Sequence, residues 1–84
     1  MLEELLEKYD DLVIMDGFDS CIVGVGESCG QPPRVIYSVK KIIGKLTIEE
    51  GMSHEEAFEW FEFNQFGAYV GEQTPIFLFE PTED

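Results

Sequence analysis

Apolar and polar positions recur along this chain with two periods, and the switches between them mark its elements. In residues 2–9, Leu2, Leu5, Leu6 and Tyr9 share one side at helical spacing, while Glu3, Glu4 and Glu7 turn outward near the favourable end of the helix dipole. This spacing predicts a short amphipathic helix. Leu12, Val13 and Ile14 then form a brief apolar run, Asp16-Gly17 signals a turn, and residues 20–27 alternate as a β-branched strand. Cys21, Val23 and Val25 fall on one face of that strand, and Ile22, Gly24 and Gly26 on the other. Two glycines on one strand face mark a bulge or a closely packed neighbour.

Residues 28–33, SCGQPP, read as a loop, because the prolines remove two backbone donors and Gly30 permits positive φ. A hairpin return sets residues 34–37 antiparallel to the preceding strand, with Ser38 as N-cap of the next helix. On that helix Val39, Ile42, Ile43 and Leu46 share one face, and Lys40, Lys41 and Lys45 occupy the opposite side. Gly51 ends it, since glycine relieves the left-handed turn at a helix terminus. Ser53-x-x-Glu56 opens another helix as a capping box, in which hydroxyl and carboxylate each satisfy a terminal backbone amide.

From that cap, Ala57, Trp60, Phe61 and Asn64 face one way, while Glu55, Glu59 and Glu62 form a stripe on the other. The buried-side amide of Asn64 is expected to bond to backbone, either capping the turn into Gly67-Ala68 or tying down the loop at Asp16 to Ser20. Gly67 ends the helix. Ala68-Tyr69-Val70, a turn at residues 71–74 and residues 75–79 read as a final extended segment, and residues 80–84 as a frayed acidic tail. Together the elements predict a single small α+β domain over residues 1–84. Its small antiparallel sheet comes from residues 20–27, 34–37 and 75–79, with two main helices packed on one face and a short N-terminal helix besides.

Composition turns this outline towards function. The 84 residues carry 18 Asp and Glu against five Lys and Arg, a formal net charge of −13, yet are 44% hydrophobic. That balance belongs to a folded chain and not to a disordered one. Residues 49–84 hold ten carboxylates and no Lys or Arg. A surface so charged repels nucleic acid and anionic lipid, and speeds encounter with basic protein patches by steering that salt weakens. The N-terminal residues carry no basic, apolar leader, and no apolar run is long enough to span a bilayer, so the expected setting is cytoplasmic.

Candidate chemistry is sparse. Cys21 and Cys29 are separated by seven intervening residues with one His in the chain, which is no zinc signature, and the expected cofactor and metal content is none. Cys21 alternates with core valines as an inert thiol would, and His54 sits at the first position of a helix, so a catalytic Cys21–His54 pair is not expected. Asp16 to Ser20 lacks the remaining ligands of a calcium loop, and Gly24-x-Gly26 is followed by no Lys-Ser/Thr and opens no helix, so neither cation nor nucleotide binding follows. Five aromatics in nine residues, Phe58, Trp60, Phe61, Phe63 and Phe66, wrap more than half a helix circumference. Phe63 and Phe66 are the expected exposed members.

The tract Phe61-Glu62-Phe63-Asn64, with Gly67-Ala68-Tyr69-Val70-Gly71-Glu72 and Thr74-Pro75-Ile76-Phe77, resembles a family of small acidic proteins common in bacteriophage and prophage genomes. The similarity runs from about Asp16 to Leu78. It implies a phage protein acting in the host cytoplasm and carries no assigned activity or catalytic residue.

The functional expectation is therefore a non-enzymatic accessory protein that binds and modulates or inhibits a host protein with a basic surface. Glu55, Glu59, Glu62, Phe63 and Phe66 are the partner-binding candidates, and Ser53, Glu56, Asn64 and Gly67 the structural ones. Carboxylates spaced roughly 5–6 Å apart on a helix approximate the phosphates of one DNA strand, so a nucleic-acid-binding groove is a partner that mimicry would serve. The alternative is a self-associating structural or virion-associated protein that uses its exposed aromatics as a homo-oligomer interface.

Overall fold

The computed structural model describes residues 2–9, 12–68 and 71–81. In chain order the elements are α1 (Leu2–Lys8), a 3₁₀ turn (Asp19–Cys21), β1 (Ile22–Gly26), β2 (Arg34–Ser38), α2 (Val39–Glu49), α3 (His54–Phe61), a π-helical turn (Glu62–Phe66) that continues α3, and β3 (Ile76–Leu78). A three-stranded sheet of order β1-β2-β3 carries the α+β class, with β2 at its centre.

The β1–β2 hairpin is antiparallel, but β3 runs parallel to β2, pairing Ile36 with Ile76, Tyr37 with Phe77 and Ser38 with Leu78. The sheet is therefore mixed, where the sequence was expected to give an antiparallel one. The reason is the connection. Residues 39–75 hold two helices, and a crossover of that length carries the chain from the end of β2 back to the end of the sheet where β2 began, so that β3 runs parallel to it.

Alternation in β1 is reset by a bulge. Ile22 pairs with Tyr37 and Gly24 with Ile36, so Val23 is an extra residue facing no partner of its own. Ile22 is thereby buried on the Tyr37 side, not on the glycine side where strict alternation put it, and Cys21 is buried from the 3₁₀ turn. The glycine signal itself holds in both senses. The bulge lies beside Gly24, and a Cβ on Gly26 would stand 3.2 Å from Ile36 Cδ1 and 3.3 Å from Ile76 Cδ1.

The core forms on the Val35, Tyr37 and Phe77 side of the sheet. α2 delivers Val39, Ile42, Ile43 and Leu46 to it as the spacing predicts, and α3 delivers Ala57 and Phe61. Phe61 stacks edge-on against Phe77 at a centroid distance of 5.1 Å. The Tyr37 hydroxyl accepts from the Met15 amide at 2.7 Å, so the segment before the 3₁₀ turn is tied to the central strand through a buried phenol. Burial pushes the Tyr37 hydroxyl above the ordinary phenol range and the Cys21 thiol above the ordinary thiol range.

Helix ends follow the local signals. Ser38 Oγ accepts from the Lys41 amide at 3.2 Å and donates to Glu80 Oε1 at 2.5 Å, so Glu80, read from sequence as frayed tail, is anchored at the start of α2. Residues 82–84 lie outside the described residues. At the other end of α2, Gly51 adopts φ 70°, while the Leu46 carbonyl accepts from both Glu50 and Met52. Arg34 Nε donates to the Thr74 carbonyl at 2.5 Å, and Gln73 Nε2 to the Pro33 carbonyl at 3.2 Å, clamping the start of β2 to the turn before β3. Among the described residues no helix is long and apolar enough to cross a membrane.

Candidate functional site

α3 is started by both arms of the capping box. The Glu56 amide donates to Ser53 Oγ at 3.1 Å, and the Ser53 amide donates to Glu56 Oε1 at 2.9 Å. With that end fixed, Ala57 and Phe61 point into the core, and Glu55, Glu59 and Glu62 are exposed on the opposite side. Among the described residues the one ion pair joins Lys45 to Glu49 at 2.8 Å, and the Glu49 bond raises the Lys45 pKa. The three stripe glutamates therefore carry uncompensated charge. Beside them Phe63 is 91% exposed, and Glu59, Glu62 and Phe63 together line an open depression.

Phe66 is 53% exposed but sits in an aromatic cluster, with ring centroids 5.8 Å from Phe61, 6.1 Å from Phe77 and 5.6 Å from Phe79. The two aromatics expected at the surface therefore differ. Phe63 is a free side chain, and Phe66 is the outer member of a packed group. Trp60 is half-buried against Phe18, 6.0 Å away, and Phe58 meets Phe61 edge-on.

Asn64 requires a correction. It is exposed, and its Nδ2 donates to the Trp60 carbonyl at 2.9 Å; it holds neither the turn into Gly67 nor the loop at residues 16–20. The cause is the π-helical turn over Glu62–Phe66. Wider winding takes one extra residue per turn, so the buried series runs Ala57, Phe61, Gln65 where a continuous α-helix would have placed Asn64 inward. Gly67 does end the helical segment, at an ordinary φ of −86°. Tyr69 and Val70, part of the expected extended segment, lie outside the described residues.

Gln65 is the residue that sequence reasoning missed. It is 7% exposed, and its Oε1 is buried with no protein donor in reach. Such an acceptor costs about 1–3 kcal/mol if nothing satisfies it. Other atoms of Gln65 help line a pocket of about 150 Å³ together with Val13, Ile14, Met15, Asn64, Ala68, Pro75 and Phe77, while Oε1 itself is sealed from it. No spacing rule in the sequence distinguishes Gln65 from Asn64 as the inward amide, because nothing local announces the extra residue in the turn.

The remaining sequence candidates stay apart. Cys21 is in the core, Cys29 is exposed in the hairpin loop, and His54 is on the surface beside Phe58. Asp16 and Gly17 form a turn, with Gly17 at φ 86°. Among the described residues no group of three or more His, Cys, Asp or Glu side chains could hold a metal ion. Compared with known proteins, the chain matches no family model, no curated protein and no solved structure.

Proposed function

We propose that this chain is a non-enzymatic binding protein whose acidic α3 face docks on a basic protein surface, in the manner of a phage-encoded accessory factor that modulates or inhibits a host protein. The observation that carries this reading is Phe63, 91% exposed between unpaired glutamates on a helix whose other side is locked into the core. An exposed aromatic ring ringed by like charge is a costly surface for a free molecule and a good anchor in a complex, where it enters a pocket and the carboxylates meet cations at the rim. Glu55, Glu59 and Glu62 lie at the helical repeat that follows a phosphate backbone, so a nucleic-acid-binding groove is the basic surface they would fit best.

The direct test reverses the stripe. Glu55→Lys, Glu59→Lys and Glu62→Lys together are expected to abolish partner binding and leave the circular dichroism and melting profile intact, because all three side chains are exposed. Unchanged binding would eliminate the stripe as the site. The exposure of Phe63 and Phe66 also favours a second reading, self-association through the aromatics. A mass that rises with concentration and falls in Phe63→Ser would support it, and a parent protein that stays monomeric would end it.

A further inference from the structure

We infer that the cleft between the C-terminal end of α2 and Trp60 is a receptor for an arginine side chain of the basic partner, whose guanidinium lies on the Trp60 indole and pairs with the Glu50 carboxylate. The inference rests on the proposed docking to a basic protein and adds which of that protein's side chains is taken, at a place apart from the Glu55, Glu59 and Glu62 stripe. The cleft measures about 440 Å³, and Phe18, Lys45, Glu49, Glu50, Met52 and Trp60 line it. Phe18 and Trp60 form its aromatic side, with ring centroids 6.0 Å apart and planes tilted by 31°. Both are half-buried, so each keeps part of its surface open. α2 ends at Glu49 with Glu50 as its C-cap, so the negative end of the helix dipole meets the cleft together with two carboxylates. Ring quadrupole, carboxylate charge and helix dipole all favour a cation there.

The chain's own Lys45 demonstrates the chemistry. Its Nζ donates to Glu49 Oε1 at 2.8 Å and stands 6.0 Å from the centroid of the Phe18 ring. The hydrogen bond to Glu49 raises the pKa of this ammonium, and the charges of Glu49 and Glu50 add to the effect. Lys45 thus serves the Phe18 and Glu49 side of the cleft and leaves the other side open. Glu50 is exposed and joins no ion pair among the described residues, and no cation of those residues lies over Trp60, whose ring attracts one more strongly than a phenylalanine ring does. Two carboxylates against one ammonium oppose an anion and give a neutral ligand little to gain. Arginine suits the open side better than lysine. Its planar guanidinium stacks on an indole, offers a carboxylate a fork of donors and is more weakly hydrated than an ammonium, so it gives up less on leaving water.

Trp60 is the single tryptophan of the chain, so its fluorescence and its indole N–H resonance report on the cleft directly. The test titrates the full chain at constant ionic strength with N-acetylargininamide, N-acetyllysinamide and N-acetylcitrullinamide, the last having the shape of arginine without its charge. The arginine probe is expected to give a saturable change in about the millimolar range, the strength open to a ligand of one side chain. The lysine probe should bind about threefold more weakly or worse, and the citrulline probe should give no saturable change. Glu50→Gln, which keeps the shape of the exposed cap residue and removes its charge, is expected to weaken the arginine probe by about two- to fivefold. Absence of a saturable Trp60 response to the arginine probe, an equal response to the citrulline probe, or unchanged affinity in Glu50→Gln would overturn the inference. The probes need no partner protein, so a flat titration overturns the cleft even where the acidic stripe captures a protein. A saturating arginine titration beside failed capture would instead overturn the docking reading and leave the arginine site standing.

Discussion

α2 and the α3 segment with its π-helical turn are two helices of one small core, yet they obey local rules to different degrees. On α2 the Val39, Ile42, Ile43 and Leu46 stripe is buried, Lys45 is paired with Glu49 and both ends are satisfied by Ser38 and Gly51, while Ile48, outside that stripe, is 83% exposed. The second segment begins as well, with a complete capping box, and then departs from the rules. It leaves three glutamates unpaired, exposes Phe63, widens into a π turn and buries an amide oxygen without a partner. Violations of local consistency concentrate where a protein has a task other than folding. The contrast is what the proposed function requires, a scaffold helix beside one that presents a binding face.

The same division explains what could be read in advance. The Val39, Ile42, Ile43 and Leu46 stripe and both helix caps were legible because each depends on residues a few positions apart, and α-helical geometry translates that spacing directly into a face. Glu55, Glu59 and Glu62 were legible as an exposed row for the same reason. Three features were not. The parallel pairing of β3 depends on how two helices cross the sheet, the bulge at Val23 depends on the partner strand, and the inward turn of Gln65 depends on one extra residue of winding. Each is decided by packing between elements distant in sequence, which no local pattern encodes.

The comparison can be broken by substitution, and the largest effect is expected at the inner edge of α3. Phe61→Ala removes a fully buried ring that contacts Phe66, Phe77 and Phe79, and should lower stability by about 3–5 kcal/mol in denaturant titration. Phe63→Ser, two residues away, should change stability by less than about 0.5 kcal/mol while removing partner capture. Equal losses at the two positions would show that Phe63 is structural and erase the distinction.

A smaller effect concerns pH. Tyr37 and Cys21 both have pKa values raised by burial, so folding favours their protonated forms. Their contribution is fully present below the ordinary thiol and phenol values and is lost as pH rises through them, so stability should decline from about pH 8.5 upward. Native-state alkylation should accordingly modify exposed Cys29 well before buried Cys21. Equal rates at the two thiols would place Cys21 outside a stable core.

The central claim is that the α3 face is built for a basic partner, and the most direct measurement is capture from a bacterial lysate on the immobilised chain at low and at high salt, with mass spectrometric identification. The expected result is a stoichiometric basic protein retained at low salt, released at high salt and displaced by added DNA. No partner at either salt, or a partner held equally well when Glu55, Glu59 and Glu62 are reversed to Lys, would contradict it.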